Sequence, residues 1–279
     1  MITGEAIAAV VFLGVALLLP ASVILYKGRR YRERYRLVRD TSELAATTGR
    51  PDEPVFVTGP VGADTSVTGP VSDEAAAFVV WSIEGWRDSG KLKQWMPGAH
   101  GVRCDRLRVE TDDGSVVVSV TSTASGSNFG DRLTGYETLV GVDTAEAHVE
   151  IDEFDCDREV APDETPPERL QRLRDEVDVT EPSDTSNLID LGRTHGTHRY
   201  REHAVESGER LTVRGTLSTP AEPGEAPRVT EPEDDPLLIS TLSPDELAKR
   251  YRRAYWRLFY GPLTVIGLVL AGALVLLSI

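Results

Sequence analysis

Two uncharged apolar runs, Ala6 to Tyr26 and Leu258 to Ile279, stand at the ends of this chain, each with its basic cluster on the inward side. Each run is about the 20 residues a helix needs to cross a bilayer. Lys27, Arg29, Arg30, Arg32, Arg34 and Arg36 follow the first run. Lys249, Arg250, Arg252, Arg253 and Arg257 precede the second. Basic residues beside a span stay on the cytoplasmic side. The pattern therefore predicts a membrane protein with two transmembrane α-helices flanking one β-rich (α+β) soluble domain. It places the protein in the cell membrane, two-pass, with the central domain cytoplasmic and both termini outside. A cleaved signal peptide is disfavoured, because no Lys or Arg precedes Ala6 and the charge follows the run instead. Pro20 would kink the first span, which membrane helices tolerate. Tyr26, Tyr255, Trp256 and Tyr260 sit where an interfacial aromatic belt would lie.

The formal charge of −15 understates how acidic the middle is. Residues 41–248 hold 18 basic against 42 acidic side chains, a net of −24. Such a surface repels phosphates, so nucleic acid is not an expected partner. There are four Lys in the chain, and abundant Asp/Glu with Val, Ala and Thr resembles salt-adapted proteins. Excess surface charge adds self-repulsion that salt screens. A halophilic prokaryotic source is expected. Cys104 and Cys156 are the only cysteines, and a reducing compartment leaves them as free thiols.

Between the runs the pattern changes in stages. The boundaries read as a first transmembrane helix over 1–26, a basic helical stalk over 27–50, a β-rich domain over 51–242, a juxtamembrane helix over 243–257 and a second transmembrane helix over 258–279. Val57-Thr58-Gly59-Pro60-Val61 recurs as Val67-Thr68-Gly69-Pro70-Val71, with Gly-Pro punctuating strands. Strands are predicted over Ala77–Glu84, Gly101–Glu110, Ser115–Ser122, His148–Ile151 and Leu211–Leu217. Asp112-Asp113-Gly114 marks a hairpin turn. Pro166 to Val179 reads as a soluble helix that opens on Pro-Pro. Ala161–Pro167, Val179–Thr185 and Pro220–Pro236 are acidic, Pro-rich loops or insertions. Ser243-Pro244-Asp245-Glu246 opens a helix with Ser at the N-cap, Pro at N1 and acids in the first turn.

Chemistry-bearing motifs are sparse. His195, His198 and His203 are grouped, but their spacing matches no helical zinc motif, so no metal and no cofactor is expected. Ser125-Gly126-Ser127 lies in a Gly/Ser-rich stretch, Ser122 to Gly130, that reads as a flexible turn rather than a nucleophile elbow. No phosphate loop or dinucleotide fingerprint is present. No catalytic residue is therefore assigned, and the chain is not expected to be an enzyme by its own motifs. Trp86 and Trp95 lie in a polar stretch and are candidates for partial exposure.

Four stretches, taken in order, resemble the GIDE, or "beside a membrane", domain of mitochondrial RING-type E3 ubiquitin ligases. They are Val55–Val61, Ala77–Trp95 with its three tryptophans, Leu107–Val120 with Asp113-Gly114, and Arg199-Tyr200-Arg201-Glu202-His203 through to Gly215. The resemblance spans about residues 45–275. It implies a membrane-flanked β-rich domain, here in a prokaryotic and haloarchaeal form. It also makes Tyr200 and Glu202, together with Trp86 and Trp95, the candidate binding residues. No RING cysteines follow the second run, so the resemblance implies the domain and not ubiquitin transfer by this chain alone.

These readings converge on a non-catalytic, membrane-anchored scaffold. Its expected partners are the lipid bilayer and a cytoplasmic protein. Two alternatives stand beside it. One is an E3 ubiquitin ligase-like protein working with a separate RING partner. The other is a homo-oligomeric membrane stress protein whose Gly261, Gly267 and Gly272 pack helices together. If the acidity is a salt adaptation, the melting temperature rises steadily with KCl. A scanning-calorimetry series with a flat or falling Tm removes that reading.

Overall fold

The computed structural model describes residues 22, 24–43, 54–88, 93–112, 114–126, 140–177, 179, 193–218, 225–233 and 235–278, with side chains between 265 and 278 described only at Gly267. The chain divides into two compact units, one within Met1–Asp40 and Pro244–Ile279 and the other Thr41–Ser243.

The larger unit is built from strands, and its long sheet closes on itself. Strand β2 (Pro54–Ala63) pairs with β7 (Leu107–Thr111), and β7 pairs with β8 (Gly114–Val118). β8 runs parallel to β15 (Arg228–Thr230), which pairs with β14 (Arg210–Ser218). β14 then returns to β2, with Arg210 to Thr216 opposite Pro60 to Pro54. The result is a small five-stranded barrel. From β14 the same sheet continues outward through β16 (Leu237–Ser240), β11 (Ala147–Ile151) and β10 (Val140–Asp143), while β1 (Ser42–Glu43) lies parallel to β2.

The alternation of side chains explains the barrel core. Val55, Val57 and Val61 of β2 share a buried cluster with Leu211, Val213 and Leu217 of β14. Every second residue points inward. Phe78, Val80 and Val102 join that cluster from a second, five-stranded sheet. This sheet has the order β12 (Cys156–Val160), β13 (His198–Val205), β5 (Phe78–Asp88), β6 (Lys93–Cys104), β9 (Thr123–Gly126). Its other face carries Trp81, Ile83 and Tyr200, which pack with Leu170 and Leu173 of helix α2 (Glu168–Glu176) in a second core cluster.

The five stretches that β patterning predicts are all found as strands, with adjustments that have local causes, whereas β9, β10, β12, β13, β15 and β16 are not among them. Gly101 to Glu110 is not one strand: Asp105 and Arg106 turn the chain between β6 and β7, Arg106 at φ 45°. Helix α2 is shorter than Pro166–Val179, because Pro167 is its N-cap and Val177 is already extended at φ −130°. Thr123–Gly126 is a strand rather than a flexible turn, for β6 offers a free edge to pair with it. Pro220–Pro236 is not a loop throughout: Arg228–Thr230 forms β15, because β14 and β8 each offer it an edge to pair with. Residues 127–130, 180–185 and 220–224 lie outside the described residues.

The smaller unit corrects the membrane reading. A helix over residues 24–40, α1, carries seven Lys/Arg, and α3 (Pro244–Ser278) is one helix across Pro262. No helix is long and apolar enough, among the described residues, to cross a membrane. That overturns the expectation of two transmembrane helices. The physical reason lies in the charge: the first half of α3 holds Lys249, Arg250, Arg252, Arg253 and Arg257, and α1 is basic throughout. Residues 6–21 and 23 of the first apolar run lie outside the described residues. The two helices run antiparallel, since Gly28 lies against Leu258 and Phe259 while Arg32 stands 5.9 Å over the Tyr255 ring and Tyr31 meets Tyr251. Leu247, Tyr251, Ala254 and Leu258, spaced on one helical face, are its buried seam. A Cβ at Gly28 would sit 3.3 Å from the Phe259 backbone nitrogen, so Gly permits the close approach.

Gly215 has the analogous role in the barrel. A Cβ there would meet the Thr230 carbonyl oxygen and Val229 at 2.5 Å and Leu237 at 2.7 Å. Backbone cannot retreat as a flexible side chain can. Gly215→Ala is expected to lower the unfolding free energy by about 2 kcal/mol or more, as overpacking does. Urea denaturation checks this, and an unchanged midpoint would show that the strands yield.

Candidate functional site

The five-stranded sheet has one face that changes character along its length. On β13, period-2 alternation puts Arg199, Arg201 and His203 on one side and His198, Tyr200 and Glu202 on the other. β5 matches them in register, with Arg199 opposite Glu84, Arg201 opposite Ser82 and His203 opposite Val80. Near Val80 this face belongs to the apolar core. Toward Asp88 it becomes a ladder of arginines, carboxylates and indoles.

Glu84 is the centre of that ladder, and its side chain is only 7 % exposed. Arg199 donates to its Oε2 from Nε (2.7 Å) and from Nη2, and Arg201 donates to Oε1 at 2.6 Å. One carboxylate therefore holds two guanidinium groups in fixed positions by charge-assisted bonds. Both guanidinium groups stack on aromatic rings: Arg199 lies 4.5 Å from the Trp95 ring centroid and Arg201 lies 4.3 Å from that of Phe154. Such cation–π contacts are favourable and orient the planar group.

Trp86 and Trp95 stand opposite each other in the β5–β6 hairpin and meet edge to face, centroids 5.3 Å apart. Both are half-buried. Arg193 covers the pair at 5.0 Å from Trp86 and 4.7 Å from Trp95. It is held there by two bonds to Glu159, Nε at 2.8 Å and Nη2 at 2.5 Å. Backbone bonds tie Trp86 to the loop before β13: its N–H donates to the Thr197 carbonyl at 2.7 Å, and Gly196 N–H donates back to the Trp86 carbonyl at 3.0 Å. Gly196 takes φ +86°, which that tight approach favours.

Tyr200 and Glu202 lie on the opposite face, and both are fully buried. Glu202 accepts Val71 N–H at 2.6 Å, Ser72 N–H at 3.3 Å and the Ser72 hydroxyl. It anchors the turn after the second Val-Thr-Gly-Pro-Val. The four sequence candidates thus divide: Trp86 and Trp95 meet on the half-exposed face, while Tyr200 and Glu202 sit in the core behind it. Sequence reading missed the roles of Glu84, Glu159 and Arg193. The signal for Arg199 and Arg201 was present, as an Arg-x-Arg alternation on a strand whose intervening residues are Tyr and Glu.

The histidines do not converge. His198 and His203 project to opposite faces, and His195 Nδ1 accepts the Asp88 N–H at 3.1 Å. Among the described residues, no group of three or more His, Cys, Asp or Glu is placed to hold a metal ion. Cys104 and Cys156 are free. Burial pushes the Cys104 thiol up to about 12, and burial likewise raises Cys156. Neither is tuned as a nucleophile.

The site is thus an Arg- and Trp-rich, half-exposed face of the five-stranded sheet. The family model GIDE, described as E3 Ubiquitin ligase, matches residues 159–275, and that stretch of the chain is similar to the GIDE family. The match includes Arg193, Arg199, Arg201 and Glu202 and runs on through β14, β16 and most of α3. No curated protein and no solved structure matches the chain significantly.

Removing the Glu84 charge tests the ladder. Glu84→Gln leaves Arg199 and Arg201 without their shared counter-charge, and a loss of about 2 kcal/mol is expected. Chemical denaturation measures that loss, and near-UV circular dichroism reports whether the Trp86–Trp95 coupling weakens with it. Wild-type stability and spectrum would deny Glu84 its central place.

Proposed function

We propose that the β-rich unit is a non-catalytic interaction module that recruits a protein partner through the face formed by Trp86, Trp95, Arg193 and Arg199. The observation that carries this reading is the half-exposed indole pair clamped by arginines that are themselves fixed by Glu84 and Glu159. Trp and Arg are the residues most enriched among interface hot spots. Side chains already immobilised in the free protein lose little entropy on binding, so their contacts count more fully toward affinity.

A second reading follows from the family description. GIDE-family proteins are associated with E3 ubiquitin ligase activity, and this chain would then supply the recognition part while a separate RING protein supplies transfer. Such a partner must bring its own cysteine and histidine zinc ligands.

The test is comparative co-purification from the native host in matched salt. Trp95→Ala and Arg193→Ala are each expected to lose the proteins that the wild-type chain retains, while keeping Tm within a few degrees. A Leu173→Ala variant, cut in the core behind the face, is expected to lower Tm and retain them. If the Trp95 and Arg193 variants retain the same proteins as wild type, the face is not the recognition surface. If a zinc-binding RING protein is among the proteins lost, the second reading gains over the plain scaffold.

A further inference from the structure

We propose that His148 is a proton-operated latch: its imidazolium bridges Asp143 of β10 to Glu150 of β11, and loss of one proton releases β10, the outer strand of the long sheet. The latch uses none of the residues of the Trp86–Trp95 face, so it stands independently of the proposed module function.

Strand β11 alternates along its length. Ala147, Val149 and Ile151 enter the larger core cluster, while His148 and Glu150 project from the other face of the sheet. In register, Asp143 lies opposite His148 on the β10 side. On the β16 side Leu238 lies opposite His148, and Ser240 opposite Glu150. The imidazole thus stands between two carboxylates. Its Nδ1 meets Asp143 Oδ1, and its Nε2 meets Glu150 Oε1 at 2.8 Å. Side-chain exposure rises along the row, from 1 % at Glu150 through 8 % at His148 to 50 % at Asp143. A proton lost from the ring therefore leaves to solvent at the Asp143 end.

An ionised carboxylate only accepts hydrogen bonds, and a neutral imidazole has a single N–H to give. Two carboxylate contacts require both ring nitrogens to be protonated. The resulting cation faces a Glu150 carboxylate taken out of water, where an unpaired charge is costly. His100 of β6 makes a contrasting contact: its Nε2 donates to the Asp143 backbone carbonyl at 2.7 Å, a bond that a neutral imidazole keeps. Asp143 is held twice, and only the hold by His148 needs the second proton. The other charged groups near the row, among the described residues, turn to other partners or to solvent. Arg214, beyond Leu238 in the same row, pairs with Asp235 at 3.5 Å. Glu146 binds the Thr121 N–H and hydroxyl, and Asp152 is exposed.

The direction of the pH response follows from linkage. A free imidazole gives up its second proton near about pH 6.5. Below that pH the latch is complete. It weakens as pH rises further and is gone once the folded imidazole has lost its proton. With one proton involved, the population with β10 detached grows by at most about tenfold per pH unit. Detachment uncovers the outer edge of β11.

The test is NMR of the full chain carrying isotope-labelled histidine, from about pH 5 to about pH 9, a range that brackets imidazole titration. His148, assigned by its absence from the His148→Gln spectrum, is expected to hold both ring protons at neutral pH. Asp143→Asn keeps the shape and removes one charge, and is expected to bring loss of the second proton to lower pH. Amide exchange at Val140–Asp143, corrected for its intrinsic pH dependence, is expected to quicken several-fold across the alkaline half of that range, and His148→Gln is expected to abolish that quickening. If His148→Gln fails to fold, through-bond correlation from ring to backbone assigns His148 in the wild-type chain. A wild-type His148 with one bare ring nitrogen at neutral pH would overturn the proposal. So would corrected exchange at β10 that stays flat with pH, or that quickens equally in the folded His148→Gln variant.

Discussion

Strand β14 is hydrogen-bonded along both of its edges, and the larger unit depends on that fact. One edge runs along β2. The other is shared, with Thr212 to Arg214 against β16 and Thr216 to Ser218 against β15. The β15 contact closes the barrel, and the β16 contact starts the outward extension through β11 and β10. Gly215 lies at the handover, where two strands and their side chains crowd one backbone position. Closure leaves those strands no free edge to template aggregation. The same strand carries a buried cost on its outer side, where Arg214 is 4 % exposed opposite Phe56. Burial lowers its pKa, and Asp235 at 3.5 Å with the Thr41 hydroxyl at 2.9 Å offsets the desolvation. The barrel is thereby tied to residues far away in sequence.

How much of this was legible depended on whether the determining contact was local. Period-2 alternation placed β8, β11, β14 and much of β5, and Asp112-Asp113-Gly114 marked the turn that joins β7 to β8. The repeat Val-Thr-Gly-Pro-Val shows the limit. Its first copy continues as strand β2 through Val61, while the second stops after Thr68 and turns. Five identical residues take two courses because Glu202, far along the chain, accepts the Val71 and Ser72 N–H groups. A side chain at Gly69 would meet that carboxylate at 2.3 Å, so the second copy is shaped around it. No local propensity contains such information.

The Arg- and Trp-rich face was half legible for a related reason. Composition singled out Trp86 and Trp95 as aromatics in polar surroundings, and register in a hairpin then brought them together. Arg193, Glu159 and Glu84 were invisible because their roles arise only when β12, β13 and β5 lie side by side. The same register put Tyr200 and Glu202, adjacent to the arginines in sequence, on the core side of the sheet. One residue of offset in a strand separates a surface ladder from a buried anchor. The apolar runs taught the opposite lesson. Length and flanking charge pointed to spans, yet the described helices spend much of their length on cations.

Those cations also divide the chain electrostatically. Residues 41–243 carry 18 basic and 40 acidic side chains, a net of −22, against +7 for the remainder. At physiological ionic strength the Debye length is about 8 Å, shorter than either unit is wide. A surface therefore responds to the charge it touches and not to the total of −15. The arginines differ accordingly. Those of the larger unit are held by Glu84 and Glu159 against aromatic rings, while Arg252, Arg253 and Arg257 stand exposed on α3.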